Sequence, residues 1–413
     1  MTKELDRLLR YEKFLKLANV VLLNSRNAEP SGRHLEEMIR NRMDKEFPRP
    51  SPQRQQILAE IKEKNLRFVK RKIKQHNDGE LFVQVQENVR EKDVHVFHKF
   101  RDPNLDLVEL LVIGDALKRS GMHSATVYVP YIPYQRQDKK DEGRVPISSK
   151  LFFEVVASAF GPRLRRILTF DFHARQAQGH FDGPVDELSA VPEFAAYYRE
   201  VLKINHEEKI VPGERTDHDD QHVLVLSPDA GGASRARYLA KLLKVPYDVF
   251  DKNRIAHGVA EQKFKPLDVE GKKVILIDDM IDTAGSLVGE YENYKIGPVQ
   301  YLQGLGAEVY ICATHALLSK KNDICAEERL QRAKVPVLVT DSLPEKHPGY
   351  YRQHRDWLKV LSLDYTLAKA FYCNQVGESI SEFLRNREEK LQGKKLDFIL
   401  HDTEEGVVDV DEQ

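Results

Sequence analysis

Short runs of β-branched and aliphatic residues alternate with longer stretches of helical periodicity over most of this chain. Residues 94–97, 126–130 and 167–170 read as strands, whereas 105–119 and 148–159 repeat apolar residues at helical spacing. A second series of strands follows at 223–226, 245–250, 274–277, 309–312 and 335–339. Strands separated by helical stretches of this length predict βαβ units in parallel sheets. Two such series predict two α/β domains. Ahead of them, residues 5–17 set Leu8, Leu9, Phe14 and Leu15 against Lys and Arg, the pattern of a charged amphipathic helix. An apolar run at 18–23 ends in Asn24-Ser25, and 32–43 looks helical again. Residues 44–75 carry prolines and then alternating Lys and apolar positions, and read as an insertion or a surface helix. The polar stretch 205–221 reads as a loop, and the acidic last dozen residues as a disordered tail.

Composition narrows the class. The 413 residues hold 64 Lys and Arg against 65 Asp and Glu, which excludes a bulk nucleic-acid binder but leaves room for a local anion site. The longest apolar runs, such as Val274-Ile275-Leu276-Ile277, fall far short of the roughly 20 residues needed to span a bilayer. No basic-then-apolar leader opens the chain, and Cys312, Cys325 and Cys373 have neither disulfide nor metal spacing. The expectation is a soluble, cytoplasmic α/β protein in a reducing compartment, with no membrane or nucleic-acid partner.

The sharpest chemistry follows the run at 274–277, where Asp278-Asp279-Met280-Ile281 leads into Asp282-Thr283-Ala284-Gly285-Ser286. Ligands bind at the carboxyl ends of strands in such sheets. Small residues let backbone N–H groups approach a phosphate, favoured further by a following helix. Asp278 and Asp279 are wrong for phosphate but suit the vicinal hydroxyls of a sugar, or Mg²⁺ through water. A strand end merely capped by Asp would not need this whole string.

This is the phosphoribosyl-binding loop pattern of type I phosphoribosyltransferases and of synthetases of phosphoribosyl pyrophosphate (PRPP). Pro130-Tyr131-Ile132-Pro133-Tyr134-Gln135-Arg136-Gln137-Asp138-Lys139-Lys140, followed by Arg144-Val145-Pro146-Ile147-Ser148, looks like the synthetase ATP loop. Residues 171–179, opening Asp171-Phe172-His173, and continuing to Asp186, resemble its divalent-cation signature. Ser227-Pro228-Asp229-Ala230-Gly231-Gly232 and Asp251-Lys252-Asn253-Arg254 resemble its metal-Asp turn and mobile catalytic loop. The chain therefore resembles ribose-phosphate pyrophosphokinases from about residue 19 to 383, interrupted by insertions.

That resemblance implies two domains of the type I phosphoribosyltransferase fold with insertions. An N-terminal extension would span 1–18, an ATP-loop domain 19–189 and a ribose 5-phosphate domain 190–373. A segment at 374–390 would return to the first domain before an acidic tail at 391–413. It implies that the C1 hydroxyl of ribose 5-phosphate attacks the β-phosphorus of MgATP, giving PRPP and AMP for nucleotide and amino-acid biosynthesis. Such chemistry needs positioning and charge neutralisation rather than covalent work by the protein. Lys252 and Arg254 would close over the β-phosphate as catalytic cations. His173 and Asp229 would hold or orient Mg²⁺, with Asp171, Asp182 and Asp186 as further ligands or as buttresses of their loop. Arg136, Gln137, Asp138, Lys140 and His173 would bind ATP, and 278–279 with 282–286 the sugar phosphate.

In the family, a neighbouring subunit grips adenine with a Phe-x-Asp-x-Glu segment. Here it reads His76-Asn77-Asp78-Gly79-Glu80, so Asp78 and Glu80 match while His76 replaces the stacking Phe. The shared site implies a homo-oligomer, a hexamer by resemblance. Arg90, Arg144, Ser379 and Ser381 match the family's allosteric phosphate or ADP site, with Asn88 where Ser is usual. Ser379 and Ser381 equally fit an ordinary helix cap. Two rivals remain at this stage, a catalytically silent regulatory subunit and a phosphoribosyltransferase using a base. The second leaves the Arg-Gln-Asp-Lys-Lys segment unexplained.

Overall fold

The structure, a computed structural model, describes residues 16–46, 52–204, 222–250, 268–290, 295–393 and 400. Two compact units emerge. The first comprises Met1–Leu188, Ser342–Pro344 and Leu363–Phe383, and the second Ser189–Asp341, Glu345–Ser362 and Leu384–Gln413.

In the first unit, β1 (Val20–Asn24) is followed by helices α1 (Glu29–Glu46) and α2 (Pro52–Lys64) and by an antiparallel hairpin of β2 (Arg71–Gln75) and β3 (Leu81–Val85). Then β4 (Asp93–Phe97), α3 (Leu105–Arg119), β5 (Ser124–Tyr128), α4 (Ser148–Phe160), β6 (Leu164–Phe170) and β7 (Val185–Leu188) alternate. The strands form one parallel sheet in the order β1-β4-β5-β6-β7. Adjacent β4 residues Val96 and Phe97 are both buried, as in a parallel sheet covered on both faces. α3 turns Leu110, Ile113 and Leu117 inward, one face of a 3.6-residue period.

The unit is completed from the far end of the chain. The helix Asp364–Val376 packs against α1, and His34 Nδ1 lies 2.6 Å from the buried Asp364 carboxylate. His95 on β4 is held between the Tyr128 hydroxyl and Gln375, each 2.9 Å from a ring nitrogen. Burial pushes its pKa down to about 4, so the ring stays neutral. After a brief passage at Ser342–Pro344, the chain rejoins the first unit from Leu363, ahead of the segment expected at 374–390, because this helix buries Leu367, Ala370 and Phe371 there.

The second unit runs α5 (Val191–Val201), β8 (Val223–Ser227), α6 (Ala233–Leu243), β9 (Tyr247–Val249), β10 (Lys273–Ile281), α7 (Gly285–Val288), α8 (Pro298–Gly304), β11 (Glu308–Ala316), α9 (Ala326–Arg332), β12 (Val337–Thr340) and β13 (Leu358–Leu361). Its parallel sheet has the order β13-β12-β11-β10-β8-β9, with β10 between β8 and β11. The α/β class and the two parallel sheets agree with the pattern of apolar runs.

Several elements differ from it. β10 does not stop at Ile277; pairing with β11 continues to Ile281 opposite Ala316, so both aspartates lie within the strand. Residues 44–75 contain α2 and then β2, because Leu58 and Ile61 give α2 a buried side. β7 and β13 are additional strands, and β9 is shorter than its apolar run. Residues 5–15 of the expected first helix, the 205–221 loop and the acidic tail from 401 lie outside the described residues. Among the described residues, no helix is long and apolar enough to cross a membrane.

The stretch after α7 folds back through a short hairpin of Gly289–Glu290 with Lys295–Ile296. Gly297 closes it: an added Cβ would stand 2.3 Å from the Gly289 nitrogen and 2.6 Å from the Leu287 oxygen. These are backbone atoms and cannot swing aside. Gly297→Ala should therefore lower stability by about 1–3 kcal/mol. The effect should appear as a lower urea midpoint with unchanged slope; an unshifted midpoint would show that the hairpin yields.

Candidate functional site

In the second unit, β10 carries Asp278 and Asp279 side by side, and Asp279 is 3% exposed. The Asp279 N–H donates to Asp278 Oδ1 at 2.8 Å. The Asp278 carboxyl is pushed up from the ordinary carboxylate range, first by burial and then by the charge of Asp279. Arg235 on α6 opposes this, its Nη1 lying 3.8 Å from Asp278 and 3.7 Å from Asp279. The chain then passes Asp282 and Thr283 to Ala284, whose φ of +59° begins the turn into α7. Leu287 and Val288 anchor α7 in the core, while Ser286 is exposed.

Beside β10, β8 ends at Ser227, and the Ser227 hydroxyl donates to the Asp229 carbonyl at 2.6 Å. Asp229 Oδ1 accepts the N–H groups of Gly231 and Gly232 at 3.0 and 3.3 Å, folding a tight turn that packs on β10. A side chain at Gly232 would strike the Ser227 hydroxyl, 2.4 Å from an added Cβ. Asp229, the aspartate pair and residues 282–286 thus share the carboxyl edge of one sheet. Arg235, which the sequence reading missed, joins them from the helix after that turn. The signal available for it was an arginine just beyond Gly-Gly-Ala.

In the first unit, two loops leave the carboxyl ends of β5 and β6 and are stitched together. Gln135, 1% exposed, accepts the His173 N–H at 2.9 Å. The buried Asp138 accepts from Gln176 Nε2 at 2.5 Å. Gln137 accepts from the Ser148 hydroxyl at 2.5 Å, and its carbonyl accepts the Ser149 N–H at 3.2 Å, so it ties the loop to the start of α4. Arg136, Lys140, His173 and Asp182 are exposed. Tyr134, Arg144 and Asp171 take positive φ values of 62°, 66° and 36°. Glu187, a residue not singled out from sequence, accepts from the Phe172 N–H at 3.1 Å and Gln178 Nε2 at 2.8 Å. It holds the second loop from beneath.

Among the described residues, no three His, Cys, Asp or Glu side chains gather to hold a metal ion. The expected ligands Asp171, His173, Asp182 and Asp186 therefore form no cage of their own. Asp186 lies in an ion pair with Arg166 at 2.5 Å, and Asp171 is buried. In the first unit His173 and Asp182 are exposed and of a donor type that suits a Mg²⁺ keeping most of its waters, which needs only one or two protein donors; Asp229 is exposed in the second unit.

His76, Asp78 and Glu80 form the tip of the β2–β3 hairpin, closed by the His76 N–H to the Glu80 carbonyl at 2.7 Å and by Asp78 Oδ1 accepting the Glu80 N–H at 3.1 Å. Phe82, 38% exposed, stands edge-on to His76 at 6.2 Å between centroids. The tip therefore keeps an exposed aromatic ring, displaced by six positions from His76. Asn88 Oδ1 accepts the Arg90 N–H at 3.0 Å, and Ser379 Oγ accepts the Glu382 N–H at 3.1 Å, capping the helix Ile380–Gly393. Arg90, Arg144 and Ser381 are exposed. Lys252 and Arg254 lie outside the described residues.

Residues 33–159 match the family model for the N-terminal domain of ribose phosphate pyrophosphokinase, and residues 185–292 that for the phosphoribosyl transferase domain. A ribose-phosphate pyrophosphokinase of Fusobacterium nucleatum is 36% identical over 79% of this chain and 94% of its own. Ribose-phosphate pyrophosphokinase 1 of Lactococcus lactis is 42% identical over 66% of this chain and 76% of its own. The crystal structure of phosphoribosylpyrophosphate synthetase from Mycobacterium smegmatis aligns with a TM-score of 0.64 at 30% identity, covering 89% of this chain and 99% of that one. With family models in both units and a relative at 36% identity matched over 94% of its own length, the chain belongs to the ribose-phosphate pyrophosphokinase family.

Proposed function

We propose that this ribose-phosphate pyrophosphokinase joins the C1 hydroxyl oxygen of ribose 5-phosphate to the β-phosphorus of ATP. The bond from that phosphorus to the oxygen bridging to the α-phosphate breaks, and AMP leaves. The observation that carries this reading is the carboxyl edge of the second sheet, where a buried aspartate pair adjoins the loop of small and hydroxyl-bearing residues at 282–286. Asp278 and Asp279 accept hydrogen bonds from the ribose hydroxyls, and Arg235 holds the pair together until substrate arrives. Backbone N–H groups of 284–286 receive the 5-phosphate.

In the first unit, Arg136, Gln137, Asp138 and Lys140 bind ATP beside His173. When bound, Mg²⁺ would neutralise polyphosphate charge, with His173 and Asp182 as protein donors in this unit and Asp229 as a separate donor at the second sheet. Asp171 and Asp186 brace the loop instead. The hairpin tip with His76, Asp78 and Glu80 serves the adenine site of a second copy, so the active form is a homo-oligomer, and Phe82 supplies apolar area that His76 lacks. Asn88, Arg90, Arg144, Ser379 and Ser381 make up a regulatory phosphate or ADP site. Lys252 and Arg254 stabilise negative charge on the transferring group.

The decisive assay is formation of AMP and PRPP from ATP and ribose 5-phosphate with Mg²⁺. Lys252→Ala should lose about 10²–10³-fold in kcat, the range for removing one preorganised charge-stabilising group, while an ATP analogue still binds in calorimetry. Near-normal turnover would remove Lys252 from the chemistry. For the sugar site, Asp279→Ala should raise the KM for ribose 5-phosphate about 10-fold or more, as expected for losing charge-assisted hydrogen bonds, with little change for ATP. The reverse ordering would move the carboxylates to the nucleotide.

Asp278 also makes a pH prediction. Its raised pKa means that the folded protein holds the proton more tightly than the unfolded chain. Stability is therefore lost as pH rises from the ordinary carboxylate range to the raised one. Asp278→Asn should abolish that loss, raising the ligand-free Tm at pH 8 by roughly 2–4 °C with no gain at pH 4. It should also weaken ribose 5-phosphate binding. Equal Tm changes at both pH values would mean that the carboxyl does not titrate in this window.

A further inference from the structure

Arg329, on α9, is 2% exposed yet forms no ion pair among the described residues. Its Nη1 donates to the carbonyls of Thr283 at 3.1 Å and Ile324 at 3.4 Å, and its Nη2 to that of Lys321 at 3.1 Å. Nε is buried without an acceptor. A buried guanidinium balanced only by carbonyl dipoles is expensive, and an apolar side chain of similar volume would pack there without that cost.

One flank of the 278–286 segment is tied down carbonyl by carbonyl. The Leu318 N–H donates to the Ile281 carbonyl at 2.9 Å, and the Ser319 N–H to that of Asp282 at 2.8 Å. The next carbonyl, Thr283, is taken by Arg329 rather than by a further backbone N–H of that segment. Ala284 follows immediately, at a φ of +59° that a residue with a Cβ adopts only when its surroundings impose it. The same guanidinium grips both arms of the hairpin Lys320–Lys321 and Ile324–Cys325, so the loop is fastened to a braced element.

We infer that Arg329 is a positioning residue for ribose 5-phosphate: by fixing the Thr283 carbonyl it sets the turn that carries residues 284–286 toward the sugar phosphate. This rests on reading 282–286 as the sugar-phosphate loop. A planar fork with donors pointing in several directions is required, which a lysine cannot supply.

The test uses Arg329→Ala and Arg329→Lys in the full-length protein, with KM measured separately for ribose 5-phosphate and ATP. Misplacing a binding loop by about 1 Å costs up to ~100-fold, so Arg329→Ala should raise the KM for ribose 5-phosphate by about 10- to 100-fold, leaving that for ATP within about twofold. Arg329→Lys should fall in between, and guanidinium ion at low millimolar concentration should restore part of the loss in the alanine variant. Parallel rises in both KM values, or a fall in kcat alone, would make Arg329 an ordinary packing residue and overturn the inference. If the alanine variant does not fold, the lysine variant carries the same comparison. Asp279→Ala is run alongside. Should it leave the KM for ribose 5-phosphate unchanged, the reading of the site fails; should it raise that KM while both Arg329 variants do not, only the role of Arg329 fails.

Discussion

Two carboxylates stand next to each other on a strand buried in the middle of a sheet, and their mutual repulsion is poorly screened there. Most of the second unit's local structure follows from that constraint. The strand must stay extended through both residues, so β11 pairs with it as far as Ala316. A cation must lie within reach of both, and Arg235 does so from the helix that follows the Asp229 turn. That turn is tight because Gly232 allows the chain to pass over the Ser227 hydroxyl.

The first unit solves a different problem. Its two loops carry exposed cations and an exposed imidazole, and such side chains cannot hold each other in place. Rigidity comes instead from buried amides and carboxylates behind them. Gln135 joins one loop to the other, Asp138 repeats the tie through Gln176, and Glu187 supports the second loop. The backbones that carry the exposed groups are thereby ordered.

Much of this was legible in the sequence wherever the physical signal is local. The apolar run into Asp278-Asp279 announces a buried strand meeting polar chemistry, and the alternation of runs and helical stretches announces parallel sheets. Arg235 was not legible, because it meets the aspartates only through folding, from an element 43 positions earlier. β13 was missed because Leu-Lys-Val-Leu is four residues long and sits among charged neighbours. The early return at Leu363 was hidden for another reason. The helix Asp364–Val376 buries residues around most of its circumference, so its pattern declares burial without declaring against what. Gln135 and Glu187 each hold a backbone N–H of the second loop, which leaves no trace in residue type.

The discontinuity of the first unit has a consequence for biosynthesis. Its sheet is complete by Leu188, yet α1 and β4 are covered by a helix that begins at Asp364. A nascent chain emerging from the ribosome would therefore display the apolar faces around Leu35 and Ile39 while about 175 further residues, from Leu188 to Asp364, are synthesised. The first unit, though its sheet is translated first, reaches its final stability only once that helix has emerged. The second unit's sheet is completed by β13 just before the helix, so both units mature late in synthesis. Contacts such as His34 with Asp364, 330 positions apart, make the final docking slow to nucleate and place it among the last steps of folding.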